Sequence, residues 1–511
     1  MQQNKPKPEK PAEAGAPAGH SEQRDIAIRA QTDADSQGQI AQTRLDRAIE
    51  AIDSIMKRAS SERWTMSAEL QGERKVINES AVQFYNLLID DEADSEAVRW
   101  EAAKSLNHVA HALFMLNEMD RAKQACEKGL ALCDRLIESS PKEAKYYSKK
   151  ADLLNLLGSA SAFDVDSIMQ RNDASLLNME KSIEWTKKAL ALKPDSQTYL
   201  MNVVDAMAFY AHFALSGPEA LQAEGKAMIP EMMDSARTLV DIARTSSDAR
   251  LALAFALCVQ SAYNMSEGSI AEASAGYEES KTIVDELKDT LQTQQRRTGH
   301  YYHIQAISNV NLGRCALLSG KPSDNALKLI DEGIEQMQSL IRSHPKSFVY
   351  KLQLLRGYQT RSEGLAALGQ SEKARETNAL ATQFVKELIK DNPDQPWLRS
   401  LGLQNESIEL SRRVAKGDLT DFEKQTDEML SLARSSDEQI IRYNVGCIFS
   451  VASRHVEGVE RERYLQRSFE QIEMLQKGGF FAKTESREVA NKDEDLQALR
   501  ETDRWKSIFP D

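Results

Sequence analysis

Apolar residues in this chain recur at helical spacing, and they recur in phrases. LIESSPKE at 136–143 returns as LIRSHPKS at 340–347, as LIKDNPDQ at 388–395, and in shorter form as ALALKPDS at 189–196. In each, a leucine-rich helix end meets a proline that stops it, and a short polar link starts the next helix. Pro141 and Pro194 are 53 residues apart, Pro345 and Pro393 are 48 apart, and Pro141 to Pro345 is 204, or four steps of 51. A hairpin of two such helices cannot bury its apolar face alone, so neighbours must stack. The pattern predicts an all-α fold, a superhelical solenoid of antiparallel helix pairs.

Within each unit, small residues stand where two helices would cross. Ala122, Cys126 and Gly129 fall at 4-3 spacing in ALFMLNEMDRAKQACEKGLAL. In AYNMSEGSIAEASAGYEES, Gly268 is placed to turn the chain, Ala273 to form the crossing and Tyr277 to fill the next hole. Gly313, Gly320 and Ala326 repeat the arrangement, as do Gly369, Ala374 and Ala381. On these residues the chain resembles the tetratricopeptide-repeat (TPR) family, with longer units. The resemblance implies a concave face built from the first helix of each pair. An inserted loop is expected near 160–180, between Gly158 and Ser182.

The two ends differ from the array at 61–478. Residues 1–22, rich in Pro, Ala, Lys and Glu, have almost nothing to bury and are expected to form a disordered tail. A long N-terminal helix is expected over 23–60. Its Leu45, Ile49, Ile52 and Met56 form a 4-3-4 seam that either packs on the first helix pair or mediates self-association. Residues 479–511 read as a C-terminal cap, with Asp495 capping a short helix that carries Leu496 and Leu499, and with Trp505, Ile508 and Phe509 packing back.

Composition narrows the classes. Four of the 13 prolines lie in the first seventeen residues, which leaves long stretches free for helix. The net charge is −13 with a pI near 5.4, and no basic stripe offers to neutralise phosphates, so nucleic acid is not an expected partner. Cys126 and Cys133, the closest of five cysteines, would be about 10 Å apart on one helix, beyond disulfide reach. Reduced, packed thiols in a cytoplasmic protein are the expectation. No apolar run approaches a membrane span, and no signal-peptide core is evident at the N-terminus.

Three blocks carry a narrower resemblance. They are RLDRAIEAIDSIMKRASSERW with the following ERKVINESAVQFYNLLIDD and AVRWEAAKSLNHVAHALFMLNEMDRA, the unit phrase itself, and RYNVGCIFSVAS with DEDLQALRETDRWKSIF. Together they resemble the non-kinase region of planctomycete-type bacterial serine/threonine protein kinases. That resemblance implies an interaction or sensing role, either in a free-standing relative or in a piece of a larger kinase.

Catalytic chemistry finds no purchase in the sequence. The kinase motifs, a Walker A loop, a G-x-S-x-G elbow and H-E-x-x-H are all missing. His108 with His111 and His300 with His303 stand three apart but lack a third ligand, so no metal or other cofactor is expected. What remains is the groove. Lys104, Asn107, His111 and Phe114 are placed inward on one unit, and Asp152, Asn155 and Ser159 on the next. Further along, Arg314, Arg356, Gln359 and Glu363 fall on the same face. Asparagine and glutamine there either bond a bound peptide backbone or bond each other between repeats. Lys104 and Asn107 are three apart, which departs from the carboxylate-clamp spacing of four. The expectation is a non-catalytic scaffold that binds protein or peptide; a small-molecule sensor is the weaker alternative.

Overall fold

The computed structural model describes residues 70–90, 95–162, 173–215, 219–294, 298–391, 396–432, 438–482 and 484–509, with a few helical positions between Thr43 and Ile55. The chain divides into two units, Met1–Arg58 and Ala59–Asp511. In the first, Ile52 is helical and half-buried. The expected tail at 1–22, and Leu45, Ile49 and Met56 of the seam, lie outside the described residues.

The second unit begins with α1 (Gln71–Asp90), α2 (Glu96–Met115), α3 (Met119–Ser139), α4 (Ala144–Ala162), α5 (Asp173–Leu192), α6 (Gln197–Leu215) and α7 (Glu219–Ile242). It continues through α8 (Ser247–Ser266), α9 (Ile270–Gln294), α10 (Thr298–Leu318), α11 (Asp324–Ser343), α12 (Phe348–Ala367) and α13 (Ser371–Asp391). Then come α14 (Pro396–Val414), α15 (Phe422–Leu432), α16 (Glu438–Ala452) and α17 (Gly458–Lys477). The short helices α18 (Thr484–Lys492), α19 (Gln497–Arg500) and α20 (Asp503–Ile508) finish the chain. No strand occurs among the described residues. The fold is an all-α solenoid of helix pairs, from α2/α3 to α16/α17, each packed on the next. First helices also pack side by side from α2 to α12, and α14 packs on α16, so these even-numbered helices form an inner layer.

Two kinds of turn explain the repeat. Inside a pair, one residue takes the left-handed conformation that closes the first helix. Glycine does this at Gly268, Gly320, Gly369 and Gly417, and Asn117 (φ 60°) does it between α2 and α3. Between pairs, the first residue past the helix donates its N–H back into the last turn, and the residue three later donates to it in turn. Ser140 to Leu136 (2.9 Å) and Glu143 to Ser140 (3.1 Å) show the pattern around Pro141. His344 and Ser347 repeat it around Pro345, and Lys193 and Ser196 around Pro194. Ala243 and Ser246 build the same turn between α7 and α8 without any proline. That turn is one of the steps hidden in the 204-residue interval.

The helix crossings use the small residues the sequence marked. Ala122, Cys126 and Gly129 are buried along α3, and Ala273 and Tyr277 along α9. At the α10–α11 crossing each helix contributes a glycine. A Cβ on Gly313 would lie 2.8 Å from the Ala326 carbonyl, and one on Gly333 would lie 2.9 Å from that of Ala306. Of the stretch expected as an inserted loop, Gly158 remains within α4 and residues from Asp173 onward belong to α5; only 163–172 lie outside the described residues. Ser175 Oγ donates to the Gly158 carbonyl at 3.0 Å, tying the two helices together beside that segment.

At the C-terminal end, Leu496, Leu499 and Trp505 are buried with residues of α16 and α17. Trp505 stacks on Phe509 with ring centroids 4.5 Å apart. Asp493, not the expected Asp495, caps the short helical turn, accepting from the Asp495 N–H at 3.0 Å. Asp493 also accepts from the Tyr443 hydroxyl at 2.7 Å, which locks the cap to α16. Asp495 is half-buried and turns towards α14, where Ser411 Oγ donates to it at 3.4 Å. Burial and the neighbouring Asp493 raise its carboxyl pKa.

Candidate functional site

The inner layer separates the predicted groove residues into two groups. On α2, Lys104 pairs with Glu101 at 2.7 Å and lies 5.8 Å from the Trp100 ring centroid. Asn107 accepts from Lys149 of α4 at 3.4 Å, and Lys149 also pairs with Asp152 at 2.7 Å. His111 is exposed and Phe114 half-buried. On α4, the Asn155 Oδ1 is buried and accepts no hydrogen bond among the described residues.

Bonding between repeats recurs along the layer. Asn202 donates to Ser148 at 3.0 Å, Gln359 to Asn405 at 2.9 Å, and Asn444 to Ser407 at 2.8 Å. These amides join one first helix to the next. The same chemistry that suits them to a peptide backbone thus serves the array itself.

Arg314, Arg356, Gln359 and Glu363 come together around one cavity of about 580 Å3, walled by α6, α8, α10 and α12. Sequence spacing placed α10 and α12 residues there, but it missed the contributions of α6 and α8. His212 and Phe255 face the same cavity, with ring centroids 6.4 Å apart. The signal for α8 was available in principle: LALAFALCV is apolar all round, as a first helix covered on several sides requires. The lining also carries the apolar side chains of Leu215, Met265, Ile307 and Leu318, and Leu318 is 53% exposed.

The cavity brings two arginines of neighbouring first helices to one lining. Among the described residues no carboxylate comes within ion-pair distance of the Arg314 or Arg356 guanidinium. Arg361, also on α12, is held by contrast: it donates to Asp331 at 2.6 Å and also to Thr377. The Arg356 side chain is exposed to the cavity, and the protein around it keeps part of the water away. That surrounding lowers its pKa, and the Arg314 charge lowers it further. Both effects disfavour the charged form, and Glu363 is the one carboxylate on the same lining among the described residues. His212 is pushed down to about 4 by burial first, then by Arg356 and His303. His303 is pushed down to about 4 by burial, and its Nε2 is buried without a hydrogen-bond partner among the described residues. Both imidazoles are therefore neutral near pH 7.

At the cavity lining, Cys258 Sγ lies 3.2 Å from Ser280 Oγ and 3.3 Å from Ser308 Oγ, and the two hydroxyls are 3.1 Å apart. Ser280 also donates to the Ala254 carbonyl at 2.9 Å. This buried polar knot joins α8, α9 and α10 at the site. Burial raises the Cys258 pKa, which keeps the thiol protonated. Among the described residues no group of three or more His, Cys, Asp or Glu side chains converges as a metal site. No described helix is long and apolar enough to cross a membrane.

No family model matches the chain, and no curated protein matches it significantly. Among solved structures, the human IFIT1 dimer with m7Gppp-AAAA is similar over 79% of this chain and 78% of that one, at 13% identity and a TM-score of 0.31. Yeast Tom70 is similar over 94% and 100%, at 11% identity and a TM-score of 0.25. Cut9 in its APC/C hetero-tetramer with Hcn1 is similar over 92% and 93%, at 12% identity and a TM-score of 0.28. At such values these likenesses bear on no residue and assign no ligand.

Proposed function

We propose that the chain is a non-catalytic helical-repeat scaffold that binds a protein or peptide partner in its inner face, at the cavity between α6 and α12. The observation that carries this reading is the pair of arginines, Arg314 and Arg356, that face one cavity beside the exposed Leu318. Neither guanidinium is engaged in an ion pair among the described residues, so both are available to a partner, and Glu363 on the same lining offsets one of the two charges. An exposed leucine beside them fits a surface that another chain covers. A protein is favoured over nucleic acid because two guanidiniums with Glu363 nearby supply too little positive charge to follow a phosphate backbone.

Quantitative affinity purification from the source cell tests this. Ile307→Asp and Leu318→Asp are expected to release a partner that the wild-type chain and Val459→Asp, on the outer helix α17, both retain. Equal retention by all four chains would sink the reading. The resemblance to the non-kinase region of bacterial serine/threonine kinases supports a second form of the same role, as the interaction region of such an enzyme. An in-frame kinase segment beside the coding sequence supports that form; an independent start and promoter count against it.

A further inference from the structure

We infer that the occupant of this cavity is an acidic, amphipathic segment of a partner protein, with one side-chain carboxylate seated between Arg314 and Arg356 and an adjacent apolar side chain against the lining residues Leu215, Met265, Ile307 and Leu318. The inference rests on the groove reading above and names the chemistry that would fill it.

Charge arithmetic favours a monoanion. The charged side chains facing the cavity are Arg314, Arg356 and Glu363, and His212 is neutral near pH 7, so the site carries one net positive charge. One carboxylate balances it; a phosphate group, with its charge of nearly −2, would exceed it. Guanidinium also suits the ligand, because its planar fork meets both oxygens of a carboxylate. The rest of the chain works in the opposite direction. At a net charge of −13 its general field repels acidic partners, so capture must come from short-range contact and not from long-range steering.

The apolar lining supplies the second half of the specificity. Leu318 ends α10 one turn past Arg314, and Ile307 lies seven residues before Arg314, so cation and apolar surface alternate along one helix face. A partner with an apolar residue three or four positions from an acidic one, along a helix, would match both features.

The test uses synthetic 12-residue peptides with a central Leu or Phe and, three positions on, Glu, Gln, Lys or phosphoserine. Fluorescence anisotropy reads their binding to the full chain, to Arg314→Gln/Arg356→Gln and to Leu318→Asp. The Glu peptides are expected to bind about tenfold tighter than their Gln and Lys counterparts. That advantage should shrink to about twofold or less in the double glutamine variant, whose fold is checked by circular dichroism. Equal binding of Glu and Gln peptides, both lost in Leu318→Asp, would overturn the charge inference and leave the groove reading standing. Binding indifferent to Leu318→Asp would overturn both. A preference for phosphoserine over Glu, displacement of the peptides by a single-stranded RNA 12-mer, or the absence of any binding would each overturn the inference.

Discussion

Arg314 on α10 and Arg356 on α12 face one cavity, and partial loss of solvent, with the charge of the first added, depresses the pKa of the second. Two like charges brought together in this way oppose the fold that positions them. Replacing Arg356 with Gln is therefore expected to raise stability, by a few tenths to about 1 kcal/mol, while weakening partner binding. Urea denaturation checks the first effect. An unchanged or lowered midpoint would mean that the guanidinium is compensated within the chain.

The α10–α11 crossing should resist side-chain growth. Alanine at Gly313 or Gly333 gains helix propensity of about 1 kcal/mol. It also places a methyl group within 2.9 Å of a backbone carbonyl on the facing helix, which cannot move aside as a side-chain tip can. A net loss of about 1–3 kcal/mol is expected from either substitution. Gly72, with nothing within 4 Å of its missing Cβ, is the control and should gain stability on replacement by Ala. Equal effects at all three sites would show that the crossing is looser than described.

Acid should weaken the array before it reaches the ordinary carboxylate range. His212, which faces Arg356 and His303, and His303 itself are both held down to about 4 in the folded chain. The free imidazole titrates near 6.5. A depressed folded pKa means that the unfolded chain takes up the extra protons. The contribution is thus fully present above about pH 6.5 and is lost as pH falls towards 4. Together the two imidazoles contribute on the order of 1–3 kcal/mol after allowance for their partial exposure. His212→Gln/His303→Gln should flatten the decline in Tm over this window; the same slope in both chains would refute the assignment.

All five cysteines are buried and unpaired. Burial pushes Cys126 and Cys133 up to about 12, so at pH 8 a thiolate fraction on the order of 10^-4 is available for alkylation. Iodoacetamide is expected to leave the native chain unmodified for hours and to label five sites after denaturation. Rapid native labelling at Cys258 would show that the polar knot at the cavity lining opens to solvent.

How much of this was legible beforehand depended on what kind of force sets each feature. Turns are local, so Pro141 and Gly268 announced their positions through backbone chemistry. The turn at Ala243–Ser246 has the same hydrogen bonds but no proline, and Asn117 substitutes for glycine, so neither stands out in the sequence. Helical period gave the inner face of α10 and α12, and with it Arg314, Arg356 and Gln359. It could not tell whether an inward amide meets a ligand or a neighbour, because that depends on repeat stacking. Gln359 bonds Asn405, 46 residues away, and Asn107 bonds Lys149. The sequence points to Asp495 as the capping carboxylate, and the structure uses Asp493. Asp493 and Asp495 are both placed to cap, and only the packing on Tyr443 selects Asp493.

The central claim is that a partner chain lies on the inner face, against α10. Site-specific photo-crosslinking tests it most directly, with a benzophenone amino acid at Leu318 or, as the outer control, at Val459, which is 87% exposed on α17. With the affinity-purified partner added, crosslinks are expected from Leu318, mapped by mass spectrometry to a segment that carries an acidic residue next to an apolar one. Crosslinking from Val459 alone, or equally from both positions, would contradict it.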